Sequence, residues 1–170
     1  MSKQRVVIGI VALVFLIIIL YYGITNYQQN QVNTNMKQAN QIAQQMDNYR
    51  RQAETYGNSR QYDKAYQAID NLDSAYAQWK SYYNVALSNA QGDYKQLLVL
   101  SGDVCAADVK AEDLYRQELQ YLQANDTVDA QATAVSVNEQ KEAGNNYKAE
   151  YEGFKEDHPG MQAYISENWV

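Results

Sequence analysis

The chain has 170 residues and a formal net charge of −6, with 1 Pro, 8 Gly, 1 Cys and 1 His. One proline and few glycines let long helices run uninterrupted; a single histidine rules out conventional His-rich zinc and di-iron sites, and a lone cysteine rules out an intramolecular disulfide. Residues 101–170 carry 14 acidic and 5 basic side chains, which argues against nucleic acid as a partner because phosphates would be repelled.

Residues 1–5 supply Lys3 and Arg5 and no acid. Residues 6–24 follow as an uncharged run of 19 apolar or small residues, about 28 Å long as a helix and so matched to the hydrocarbon layer of a membrane. The next basic residue is Lys37. This asymmetry places the N-terminus in the cytoplasm and the C-terminus outside. Tyr21, Tyr22 and Tyr27 cluster at the outer end, where amphipathic rings favour the interface. A cleaved signal would have a shorter apolar core and a small-residue cleavage site. The run is longer than that, and Tyr-Tyr-Gly-Ile-Thr-Asn offers no such site, so it reads as a single-pass transmembrane anchor in contact with lipid.

Residues 25–35 are rich in Asn and Gln and read as a juxtamembrane linker or as a continuation of the membrane helix. Residues 36–158 read as an extracytoplasmic helical bundle. Its first seam, Val32, Met36, Ala39, Ala43, Met46, Tyr49, Ala53 and Tyr56, steps by three and four, the period of a helix with one apolar face. Gly57-Asn58-Ser59 ends it, with Gly and Asn expected to supply a left-handed cap. The second seam runs Tyr62, Ala65, Tyr66, Ile69, Leu72, Tyr76, Trp79, Tyr83, Leu87 and Ala90. The helix then bends at Gln91-Gly92-Asp93 or continues to Leu100, and Ser101-Gly102-Asp103 is expected to be a turn.

The third seam carries Val104, Ala107, Ala111, Leu114 or Tyr115, Leu119 and Leu122, and Asn125-Asp126-Thr127 breaks it. The fourth carries Ala130, Ala134, Val137, Tyr147, Tyr151 and Phe154; Gly144-Asn145-Asn146 offers a point where one helix ends and another starts. His158-Pro159-Gly160 stops it, and 159–170 reads as a C-terminal tail. No stretch alternates as a strand would. The fold class is all-α: an N-terminal transmembrane helix followed by an antiparallel bundle of about four helices. Residues 46–79 resemble one tetratricopeptide repeat at Tyr49, Ala53, Tyr56, Tyr62, Ala65, Ile69 and Leu72. They depart from that pattern at Gln52 and Arg60, and one copy does not make an array.

The sequence carries no phosphate loop, no EF-hand and no catalytic triad, so no catalytic residue, cofactor or metal is assigned. Glu150, Glu152, Glu156, Asp157 and His158 would spread around a helix instead of converging. Cys105 lies among Val104, Ala106 and Ala107 and reads as a buried, inert thiol, the alternative being a bond between chains. Half of the 16 tyrosines, Tyr49, Tyr56, Tyr62, Tyr66, Tyr76, Tyr83, Tyr147 and Tyr151, lie on or beside the seams, where a ring fills volume and its hydroxyl reaches the bundle edge. Trp79, Tyr82 and Tyr83 form the best candidate for a partner interface. Asn125 heads a glycosylation sequon in an exposed turn. These features point to a non-enzymatic, membrane-anchored interaction or scaffold subunit that binds another envelope protein or a second copy of itself. The alternative is an extracytoplasmic ligand-binding sensor that signals through a partner.

Overall fold

A computed structural model describes the backbone of residues 3–170 and the side chains of residues 16–17 and 20–170. Helix α1 spans Lys3–Asn58, α2 Tyr62–Asn89, α3 Gly92–Gln123, α4 Thr127–Asp157 and α5 Pro159–Asn168. The described residues contain no strand, and the architecture is an all-α bundle. α1 pairs antiparallel with α2 and α3 with α4, while α2 and α3 meet over a shorter length and α5 touches the end of α4. Among the described residues no helix is long and apolar enough to cross a membrane. The run 6–24 falls mostly outside the residues whose side chains are described.

α1 does not break at 25–35. From Val32 onward it buries the seam the sequence marks out: Val32, Met36, Ala39, Met46 and Ala53 are all buried, with Ile42 beside them. A larger core joins this part of α1 to Leu72, Ala75, Trp79, Tyr83 and Ala86 of α2, Leu97 and Leu98 of α3, and Met161, Ile165 and Trp169 at the C-terminus. A smaller core at the far end gathers Ala53, Ala65, Ala68, Ile69 and Leu119 with the rings of Tyr56, Tyr62, Tyr66 and Tyr115. Along α1, Arg50 falls between the two cores.

Four sequence expectations fail, and each has a packing reason. Ser101-Gly102-Asp103 is not a turn; α3 runs straight through it, and the chain turns instead at Ala90-Gln91. Gly102 is helical because Tyr83 crosses it. A Cβ there would overlap the Tyr83 hydroxyl and lie 2.9 Å from its Cζ, whereas without one the hydroxyl donates to the Leu98 carbonyl at 2.8 Å. Gly57 is likewise helical and buried under Tyr115 and Leu119, and the left-handed residue at the end of α1 is Arg60, at φ 57°. Gly144 does not end a helix; it is buried against Ala107 and Asp108 of α3, inside an unbroken α4.

The fourth failure is the tail. Pro159 opens α5 at its first position, where its missing N–H is not needed, and α5 leads to Trp169, which is 1% exposed. Its indole Nε1–H donates to Asn33 Oδ1 at 3.0 Å, the Tyr164 hydroxyl accepts from Gln29 Nε2 and donates to Asn33 Oδ1, and Asn40 Nδ2 donates to the Trp169 carbonyl at 2.9 Å. The Asn/Gln-rich start of the bundle is thus the polar socket for the C-terminus. The region of 46–79 that resembles a tetratricopeptide repeat is the hairpin of α1 and α2, closed into a bundle by α3 and α4.

Candidate functional site

The aromatic trio does not form one surface. On α2, Trp79 (5% exposed) and Tyr83 (8%) face the core, and Tyr82 (37%) faces out. Residues four apart on a helix share a face, so Trp79 and Tyr83 stack at 4.5 Å with Tyr76 next in the column. Tyr82 shares its outer face with Val85, one turn on, which is also exposed. Burial raises the Tyr83 phenol above its ordinary range, helped by Asp103 and Cys105. Its hydroxyl therefore stays a proton donor to Leu98.

Asn125 lies at the tip between α3 and α4, exposed and left-handed at φ 60°, a conformation asparagine tolerates. Beside it Asp126 caps α4 by accepting from the Asp129 N–H at 3.1 Å. His158 is structural: Nδ1 lies 2.8 Å from the Phe154 carbonyl, its ring stacks on Phe154 at 4.3 Å, and Nε2 stands 3.8 Å from Asp93. Among the described residues no group of acids, cysteines and histidine converges on a metal position.

The concave site that the sequence does not reveal is a cleft of about 310 Å³ between α1 and α4. Asn40, Ala43, Met46, Asp47 and Arg50 of α1 form one wall, and Lys148, Tyr151 and Glu152 of α4 the other; Ser101, Val104, Cys105 and Asp108 of α3 and Trp79 of α2 form the floor. It exists because α4 pairs with α3 and not with α1. At the far end Lys141 of α4 reaches Glu54 of α1 at 2.8 Å. At the near end the Asn40 bond to the Trp169 carbonyl closes the seam. Between these two ties the walls stand apart.

Arg50 organises the cleft's charge. Its Nε donates to Glu112 Oε1 at 2.9 Å and an Nη reaches Asp108 at 3.2 Å. Glu112 is 3% exposed, and its Oε2 has no hydrogen-bond partner. Desolvation outweighs Arg50 and holds this carboxyl above the usual carboxylate range. Cys105 is pushed up to about 12 by burial, with Asp108 adding and Arg50 opposing. A thiol so placed stays protonated and is a poor nucleophile. The cleft therefore offers apolar and aromatic surface with charged side chains at its mouth.

No family model, curated protein or solved structure matches this chain.

Proposed function

We propose that this chain is a single-pass membrane protein, N-terminus in the cytoplasm and bundle outside, that acts as a non-enzymatic interaction or scaffold subunit. The observation that carries the reading is the continuity of α1. The helix that begins at Lys3 is the helix that forms the first wall of the bundle. Leu16, Ile17, Leu20, Tyr21, Tyr22, Ile24 and Tyr27 all stand 55–66% exposed on it, before burial begins at Val32. Apolar side chains spread around a helix with no protein covering them favour a lipid environment. An unbroken helix from residue 24 to residue 58 lifts the far end of the bundle about 50 Å from the membrane, a fixed reach that suits a subunit presenting a face to an envelope partner. Tyr82 and Val85 supply exposed aromatic and aliphatic surface on such a face.

A second reading, a ligand-binding sensor that signals through a partner, is favoured by the cleft. Five of the residues lining it belong to α1, so occupancy there would bear directly on the helix that enters the membrane.

Gentle solubilisation of native membranes, capture of the tagged full-length chain and mass spectrometry separate the two. A stoichiometric partner lost on Tyr82→Ala with Val85→Ser supports the subunit reading. Recovery of the chain alone, even after cross-linking, overturns it in favour of the sensor.

A further inference from the structure

We propose that the cleft between α1 and α4 takes a small amphipathic anion: one ring or branched apolar group carrying a carboxylate. The proposal rests on the ligand-binding reading of the cleft and names its ligand class. A volume of about 310 Å³ sits at the small end of the range for ligand pockets, room for one ring and a short chain. Met46, Trp79 and Tyr151 give the apolar part a surface to lie on.

The charge of the ligand follows from which groups at the mouth already have partners. Asp108 is held by Arg50 at 3.2 Å, Glu152 by Lys155 at 2.8 Å, and Asp47 by Arg51. Each of these three acids has a cation within reach, Arg50 serving Asp108 and Glu112 together. Among the described residues Lys148 makes no ion pair and no hydrogen bond, and Arg50 spends Nε and one Nη, leaving the donors of its other Nη. Lys148 and the second Nη of Arg50 thus bring donors to the cleft from opposite walls, and an anionic head answers them.

The α4 wall adds an independent sign. Residues 145–150 are all exposed, six in succession on a helix. Within this stretch Lys148 lines the cleft, and Tyr147, at 38% exposure, is the most covered large side chain. Gly144 on one flank is buried and Tyr151 on the other half-buried. A molecule in the cleft would cover Lys148 and Tyr151 on the one side of α4 that faces it.

The test titrates hydrocinnamate and its amine counterpart, phenylpropylamine, into the full chain held in nanodiscs, read by calorimetry and by tryptophan fluorescence. The expected result is saturable binding of hydrocinnamate at millimolar concentration and none of the amine. Lys148→Gln should weaken hydrocinnamate about tenfold, the weight of one charge-assisted hydrogen bond. Ala43→Phe, which fills the cleft, should abolish binding. Binding of the amine instead, lost in Ala43→Phe, overturns the anionic class and leaves the cleft as a binding site. Hydrocinnamate binding that survives Ala43→Phe, or no binding of either probe, overturns both.

Discussion

Replacing Arg50 by Met should cost about 3–5 kcal/mol at neutral pH, because it strips a buried carboxylate of its cation. Arg50 supplies the hydrogen bond to Glu112 Oε1, and Oε2 already has none. The folded chain then either holds an unpaired charge or takes up a proton on Glu112. That choice gives the loss a pH dependence of known sign. The Glu112 pKa is already raised by desolvation, against the pull of Arg50; without Arg50 it rises further. A carboxyl whose folded pKa lies above its unfolded value binds more protons when folded. Its favourable contribution is complete below the unfolded pKa, ordinarily about 4.5, and is lost as pH rises through the folded value. The cost of Arg50→Met should therefore be small in mild acid and grow towards neutrality. Denaturant unfolding of the detergent-solubilised chain, followed by circular dichroism at both pH values, measures it. Adding Glu112→Leu should recover most of the loss at neutral pH, since the charge is then gone with its partner. Equal loss at both pH values, or no recovery in the double variant, would refute the buried-pair account.

Gly102→Ala should destabilise by about 1–3 kcal/mol despite alanine's better helix propensity, because the new methyl collides with the Tyr83 ring. Adding Tyr83→Phe removes the overlapping hydroxyl and should recover part of the loss, so a double-mutant cycle on midpoint stability reads the contact directly. Trp169→Ala should cost about 3–5 kcal/mol and free α5, visible as faster amide exchange over 159–168. Cys105 should resist Ellman's reagent at pH 8 in the folded chain and react at once in denaturant, since burial holds its pKa near 12; rapid labelling of the native protein would contradict this.

The helical period was legible because one face of α1 is buried from Val32 onward and one face of α2 along its length: Met36, Met46, Ile69 and Leu72 lie where their spacing puts them. Glycine was misleading because it serves two purposes. At Gly57, Gly102 and Gly144 the missing Cβ admits a neighbour's side chain, and nothing in the local sequence separates that use from a helix break. Trp79 and Tyr83 were legible as seam residues, and a seam in a bundle points inward. The C-terminal helix was hidden because its partners, Gln29, Asn33 and Asn40, are polar and more than 120 residues away in sequence. The cleft was hidden for a related reason: it depends on α4 standing away from α1, a property of the packed bundle and of no single segment.

The proposed membrane anchor is what most needs a direct test. Alkaline washing of membranes that contain the full-length, C-terminally tagged chain, followed by protease added to the outer face of intact cells or spheroplasts, tests it directly. The account predicts that the chain stays with the membrane pellet and that external protease removes the tag and bundle. Release by the wash, or a tag that protease reaches only after the membrane is broken, would contradict it.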